Sequence, residues 1–271
     1  MCSRSKKKQT LKSMRENPLY IDSLILHGNG KLLDFDDDEK DIHIRYAQFN
    51  TRALADCPFA SAGCKKICYA TKGNHMFPSV IESREKSYLA TRREDFAEGM
   101  IFTIKAEKQS KRYAGKEMRV RIHESGDFYS IQYLRKWIMI WHAFHFGDGV
   151  AFTLYTKSFP FFLMLTEDEL NIIREAMNAG ILAINLSVDD TTTPEQWKNA
   201  FAVHRLLPKT NFYRVTKDYK ETDDICDCAD CAKCGACNKA TGKEKVVKIH
   251  SASADDVKAY DANTTNKPAE A

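Results

Sequence analysis

The sequence predicts an α/β protein, a partial (β/α) barrel of about five to six parallel strands. Strand-like and helix-like segments alternate from about residue 40 to residue 217, as in parallel sheets with helices outside. Polar or cysteine-bearing loops follow four of the predicted strands, where α/β proteins usually bind ligands. Five strands, or six if LYIDSLIL contributes, are too few to close an eight-stranded barrel, so we expect an open one.

The first half of the barrel begins with DIHIRYAQFNT, whose alternating apolar residues indicate a strand. A helical stretch from about Pro78 to Arg112 follows, with Ile81, Leu89 and Phe96 at roughly helical spacing. MRVRIH alternates like a strand and runs into ESGDFYS. A strong helix then begins after Ser130, a residue type suited to capping a helix N-terminus.

The second half repeats the alternation. VAFTLYT, ILAINLSV and NFYRVT are predicted strands. The helix between the first two is capped by Thr166 and stopped by Gly180, and the next has Pro194 in its first turn. This barrel domain spans residues 19–217.

The flanking segments have different compositions. Residues 1–18 are predicted to be a flexible basic arm, and residues 218–245 a cysteine-rich cluster-binding segment. Residues 246–271 lack large apolar side chains at any period, so we expect a disordered tail.

Composition excludes few function classes. Apolar residues make up 43% of the 271-residue chain and charged residues 29%, which suits a globular core. No run of 18 apolar residues and no signal-peptide pattern is present, so we expect a cytoplasmic protein without a membrane partner. The net charge of +4 gives nucleic-acid binding weak support, through the basic arm.

Three cysteines, Cys57, Cys64 and Cys68, stand in the loop after the first predicted barrel strand. Their clustering in a reducing compartment indicates metal rather than disulfides. Three thiolates suit three irons of a [4Fe–4S] cluster and leave the fourth iron open. Zinc is the less favoured alternative, because it prefers four ligands, often in two CxxC pairs. A third interpretation is that the three cysteines are buried thiols that bind no metal.

A second group of cysteines lies in CDCADCAKCGAC. Its two-residue gaps are typical of ferredoxin-type cluster ligation and predict a metal site formed by Cys228, Cys231, Cys234 and Cys237. These cysteines either bind a separate cluster or supply one thiol that closes the first. The role of Cys226 stays open.

Polar residues at the predicted strand ends are candidates for the pocket. RIHESGDFYS, YTKS and SVDD supply Arg121, His123, Ser125, Asp127, Lys157, Ser187 and Asp189. We expect His123, Asp127 and Lys157 to be catalytic, and Arg121, Ser125, Ser187 and Asp189 to bind a cofactor. The alternatives are helix caps, turns and a solvated lysine.

The first cysteine loop resembles that of the radical SAM superfamily, whose usual motif is CxxxCxxC. Cys64 and Cys68 match its first half, Tyr69 is similar to the aromatic residue common before the last cysteine, and Thr71 replaces that cysteine. The resemblance implies that an open iron binds S-adenosylmethionine and reduces it, with Tyr69 beside the cofactor.

The chain more closely resembles a phage family known as gene product 88. Five motifs carry the resemblance over about residues 40–240: CPFASAGCKKICYA, RIHESGDFYS, YTKS, LSVDD and CADCAKCGAC. It implies an iron–sulfur protein of radical-SAM-like architecture and phage origin, located in the host cytoplasm.

Our leading hypothesis is therefore an iron–sulfur enzyme with one or two [4Fe–4S] clusters and S-adenosylmethionine. Its substrate would be a small molecule, a nucleotide or a nucleic-acid base, with an electron-donor protein as partner. One alternative is a module that binds nucleic acid or protein and whose fold is stabilised by an Fe–S cluster or zinc. Another is a redox or electron-transfer protein without S-adenosylmethionine chemistry.

Overall fold

The computed structural model describes residues 10–27, 34–39, 41–217 and 236–248. Over these ranges the chain forms one mixed α/β sheet of seven strands in the order β1-β2-β3-β4-β5-β6-β7, curled into a half-barrel. The strands are β1 Phe35–Asp37, β2 Ile42–Phe49, β3 Glu117–Ile122, β4 Val150–Thr156, β5 Leu182–Asp189, β6 Asn211–Thr216 and β7 Glu244–Lys248. All neighbouring pairs are parallel except β1 and β2.

Eight α-helices connect and cover the strands in the described parts of the chain. They are α1 Leu11–Arg15, α2 Ala62–Lys66, α3 Pro78–Thr91, α4 Phe96–Lys108, α5 Ile131–His142, α6 Phe159–Phe162, α7 Glu167–Asn178 and α8 Pro194–Leu206. The predicted caps act as expected for α5 and α7: Ser130 accepts from the Tyr133 N–H, and Thr166 forms a capping box. Pro194 begins α8, which Thr193 caps. No described helix has the length and apolarity needed to cross a membrane.

The predicted strand count was too low. The five predicted barrel strands are present as β2 to β6, but β7 adds a sixth parallel strand and β1 an antiparallel edge. The segment LYIDSLIL does not form a strand: its contact with the sheet is an isolated β-bridge between Ile25 and Gln48. The arm contains α1, whose Arg15 binds the buried carboxylate of Glu107 at 2.6 Å. Strand β7 includes residues 246–248 of the expected tail.

The predicted single helix over residues 78–112 is two helices, α3 and α4, separated by a short connection. Phe96, Met100 and Ile104 of α4 are fully buried, whereas Ile81 and Leu89 of α3 are 48% and 57% exposed. The apolar positions assigned to one continuous face therefore belong to two helices with different environments.

The strands alternate between two environments. Outward-facing residues such as Phe49, Ile122, Leu154 and Ile184 belong to the main hydrophobic core, together with apolar side chains of α4, α5 and α7. The intervening residues face the concave side of the sheet and are mostly polar. At the carboxyl ends of β2 to β5, the loops that follow these strands reach the same edge.

Candidate functional site

A cavity of about 670 Å³ opens at the carboxyl ends of the parallel strands. Its volume lies in the range of small-molecule sites. The cavity is lined by the three cysteines of the first loop and by the polar strand ends, including Cys57, Cys64, Cys68, Tyr69, Arg121, His123, Ser125, Asp127, Lys157, Ser187 and Asp189. All eight predicted catalytic and cofactor-binding residues thus come together at one site, with the three cysteines of the first group.

The loop that carries the cysteines is held by the loop after β5. Ser61 caps the short helix α2 by accepting from the Cys64 N–H at 3.2 Å, and its hydroxyl donates to Asp189. The Gly63 N–H donates to Thr191 Oγ1 at 2.7 Å. Two parts of the chain about 128 residues apart therefore fix the position of Cys64.

The three thiols form no disulfide in the structure and line the same cavity. The pKa of Cys57 is raised, mainly by burial. The negative charge of Asp127 and the neighbouring thiols raise it further. Burial also raises the pKa of Cys64 to about 11, against the opposing effect of Lys157. In the metal-free protein these two thiols are protonated at neutral pH, so they are poor nucleophiles.

Lys157 and Asp189 form a buried ion pair at the base of the cavity. The Lys157 ammonium donates to Asp189 Oδ2 at 2.8 Å and to the Ser187 carbonyl at 3.1 Å. Burial raises the pKa of Asp189, but the lysine and the hydroxyls of Ser61 and Thr191 outweigh it and hold the pKa below its usual value. Both members of the pair are therefore charged at neutral pH.

Asp127 connects the loop after β3 with the end of β4. Its Oδ1 accepts from the Phe128 N–H at 2.8 Å and the Thr156 hydroxyl at 2.7 Å, and its Oδ2 accepts from the Lys157 N–H at 2.8 Å. Burial raises the pKa of Asp127 to about 6 although these donors oppose it. This carboxyl group can exchange a proton near neutral pH.

His123 directly follows β3 and has a strained backbone conformation. Its φ of 64° is left-handed, which is rare for residues other than glycine. Its Nε2 shares a hydrogen bond of 2.9 Å with the Tyr133 hydroxyl, and its buried Nδ1 has no partner among the described residues. Burial lowers the pKa of His123 to about 3, so the ring is neutral at physiological pH.

Ser125 and Gly126 lock the β3 loop onto the end of β2. The Ser125 hydroxyl donates to the Thr51 carbonyl at 2.6 Å, so it has a structural partner as well as a place in the cavity wall. Gly126 has a φ of 84°, and a Cβ there would lie 1.9 Å from Thr51 Oγ1. Glycine is required at this position.

Cys237 lies behind the cavity wall. It belongs to residues 237–241, here called the C-terminal plug, which fill the concave side of the half-barrel. Its carbonyl accepts from Asn185 Nδ2 at 3.0 Å, and its thiol contacts the Tyr155 hydroxyl, whose pKa is raised first by burial and then by Cys237. Tyr155 lines the cavity, and Cys237 does not. The other predicted metal ligands, Cys228, Cys231 and Cys234, lie outside the described residues, as does Cys226.

The sequence did not lead us to several residues that build the site. The plug is held by a polar network on the concave side: Asn211 Nδ2 donates to Asn185 Oδ1 and the Lys239 carbonyl, and Asn238 Nδ2 donates to the Tyr46 hydroxyl. Tyr213 lines the cavity beside Tyr155. Asn185 interrupts the apolar strand ILAINLSV, and that interruption was an available signal for a polar concave side.

The fold and the cavity define a half-barrel α/β protein with a cysteine-lined pocket at the carboxyl ends of its strands. The family model described as Gene product 88 matches residues 23–172, more than half of the chain. The chain therefore belongs to this family, which is that of a phage protein. The match includes the first cysteine loop, RIHESGDFYS and YTKS, and ends before LSVDD and the second cysteine group. No curated protein and no solved structure matched the chain.

Proposed function

We propose that this chain is an iron–sulfur enzyme of radical-SAM-like type that acts on a small molecule or nucleotide. The observation that carries the proposal is the cavity itself: three free cysteines, a buried ion pair and a proton-exchanging carboxyl group line one pocket of about 670 Å³. A metal site that only stabilises the fold does not require such a pocket. The phage family supports a phage-encoded enzyme.

The donor set of the pocket suits a [4Fe–4S] cluster better than a zinc ion. No three His, Cys, Asp or Glu side chains within the described ranges are grouped closely enough to hold one metal ion. A zinc ion needs its ligands around a single point. In a cubane each thiolate binds a different iron, so the ligands stand further apart. Cys57, Cys64 and Cys68 would hold three irons, and their protons would be released on binding.

The position of Cys237 supports an open fourth iron. Because Cys237 lies behind Tyr155, we propose that it belongs to the second cysteine group, with Cys228, Cys231 and Cys234, and does not close the first cluster. When bound, a cluster with an open iron supplies one-electron reduction of S-adenosylmethionine. Tyr69, Arg121, Ser125, Ser187 and Asp189 would line the space for that cofactor.

The chain's own residues would orient the ligands and move a proton. Asp127, with a pKa of about 6, is the best suited of the three proposed catalytic groups to exchange a proton at neutral pH. Lys157 is held as a cation by Asp189 and would act as a fixed positive charge. His123 is neutral and would act as a hydrogen-bonding group.

The decisive experiment is anaerobic purification of the full-length protein with quantification of iron and sulfide. After reduction, added S-adenosylmethionine should change the EPR signal and yield 5′-deoxyadenosine. Cys64→Ala should lose both effects, whereas the matched variant Cys237→Ala should keep them. Zinc in place of iron would refute the proposal. Iron without S-adenosylmethionine cleavage would favour a redox or electron-transfer protein.

A further inference from the structure

Arg121 is a cation at the cavity wall. It lies on β3 and lines the cavity, and its Nε atom is buried without a hydrogen-bond partner in the described parts of the chain. It lies beside an aromatic ring: Arg121 Cζ is 5.0 Å from the centroid of Tyr155. Within the same ranges no carboxylate forms an ion pair with it.

Arg121 is half-buried, and its situation differs from that of two buried cations nearby. Lys157 is paired with Asp189 at 2.8 Å. Arg84 donates to the Ala70 carbonyl at 2.8 Å and contacts His75 Nδ1 at 2.9 Å. A charge taken out of water without a partner destabilises the fold, so buried charges are normally paired.

The surroundings keep Arg121 charged without neutralising it. Burial opposes the charged form, but the hydroxyl groups of Tyr69, Tyr155 and Tyr213 and the carboxylate of Glu124 together keep the pKa of Arg121 above its usual value. Tyr155 and Tyr213 contact each other edge to face, with ring centroids 4.8 Å apart. Glu124 acts on Arg121 through its charge but forms no ion pair with it within the described residues, and its carboxylate accepts from Asn50 Nδ2 at 3.5 Å.

We propose that the cavity binds a ligand bearing a carboxylate or a phosphate, and that this oxyanion pairs with the guanidinium of Arg121. A guanidinium matches the geometry of either group through two parallel hydrogen bonds. The three tyrosines form the rest of this subsite. The inference deepens the proposed function: a carboxylate would belong to S-adenosylmethionine, and a phosphate to a nucleotide substrate.

The test compares pairs of probes that differ in the anionic part. Binding of adenosine 5′-monophosphate is compared with that of adenosine, and binding of S-adenosylhomocysteine with that of its decarboxylated analogue, by calorimetry on the full-length protein as purified. We expect one oxyanion-bearing probe to bind about ten- to a hundredfold more tightly than its counterpart without the oxyanion. A preference for the monophosphate would identify a phosphate subsite, and one for S-adenosylhomocysteine a carboxylate subsite.

Variants assign the preference to Arg121. Arg121→Gln should abolish the difference between the two probes of a pair, and Arg121→Lys should keep part of it. Arg205→Gln is the matched control, because it removes the same charge from an exposed position near the C-terminal end of α8, at the opposite end of the strands from the cavity. It should leave the preference unchanged.

A second readout separates ligand binding from a structural role. Because no described carboxylate forms an ion pair with Arg121, Arg121→Gln should lower the unfolding temperature less than Asp189→Asn, which breaks a buried ion pair, when no probe is present. A structural arginine would give a loss as large as that of Asp189→Asn.

The proposal is overturned if neither oxyanion-bearing probe is preferred, if the preference survives in Arg121→Gln, or if that variant loses as much stability as Asp189→Asn. These binding measurements need neither iron nor turnover. Failure of the proposed enzyme function would therefore be seen separately, as absent iron or absent 5′-deoxyadenosine.

Discussion

Breaking the Lys157–Asp189 ion pair should destabilise the protein by about 3 kcal/mol. The side chains are only 10% and 5% exposed, and their charged atoms are 2.8 Å apart. Removing one member of a buried pair typically costs about 3 to 5 kcal/mol, because the other charge stays buried without compensation. We expect the lower end for Asp189→Asn, since Lys157 keeps its bond to the Ser187 carbonyl.

A double-mutant cycle isolates the interaction. Lys157→Met should cost less, about 2 kcal/mol, because Asp189 keeps donors from Ser61 and Thr191. The double variant removes both charges and should recover most of the loss, giving a coupling energy of about 3 kcal/mol. The assay is urea unfolding of metal-free protein, so that metal binding does not contribute.

An exposed pair provides the matched control. Arg174 and Glu167 are 2.6 Å apart, but Glu167 is 68% exposed. The same cycle there should give a coupling energy below about 1 kcal/mol, because water screens both charges. If Asp189→Asn cost less than about 1 kcal/mol, or if its loss simply added to that of Lys157→Met, the reasoning about burial would be wrong.

Three further perturbations test other parts of the site. In urea unfolding, Gly126→Ala should lower the free energy of unfolding by about 3 kcal/mol and Gly180→Ala by about 1 kcal/mol. Both glycines have left-handed backbone angles, but only a Cβ at position 126 meets a neighbour, at 1.9 Å. Equal losses would argue against the steric explanation. His123 has a folded-state pKa of about 3 against an ordinary 6.5, so its contribution to stability is full above pH 6.5 and is lost as pH falls toward 3. The free energy of unfolding of His123→Asn should fall less over that window, and an unchanged slope would contradict the assignment. Asn211→Ala should cost about 3 kcal/mol, since partners in the C-terminal plug lose their hydrogen bonds; a loss under 1 kcal/mol would show that the plug contributes little.

The parts of the fold that local pattern determines were predictable. Strands β2 to β6 read directly as alternating or continuous apolar segments, and the caps at Ser130 and Thr166 follow from side chains that accept from the first-turn N–H groups. The convergence of the cysteine loop with His123, Asp127 and Lys157 was also predictable, because parallel strands place their carboxyl ends at one edge.

Features that depend on partners distant in sequence were not predictable. β7 is short, and what makes it a strand is its pairing with β6. The cysteine-rich segment separates these two strands in the sequence. The break between α3 and α4 was missed because an apolar spacing continues across it, although Leu89 is exposed and Phe96 is buried. The importance of Ser61 depends on Asp189, which lies 128 positions away.

The contacts around the cavity hold the walls of the pocket in place. Each loop is tied to a neighbouring strand end: Ser125 to the Thr51 carbonyl, Asp127 to the Thr156 hydroxyl, and Asp189 to the Ser61 hydroxyl. Because these polar groups are satisfied by one another, ligand binding need not reorder them, and less conformational entropy is lost. Two atoms within the described wall are exceptions, since Arg121 Nε and His123 Nδ1 have no hydrogen-bond partner among the described residues. A pocket whose walls are otherwise held by their own hydrogen bonds, and which presents a guanidinium to an anion, is organised for binding.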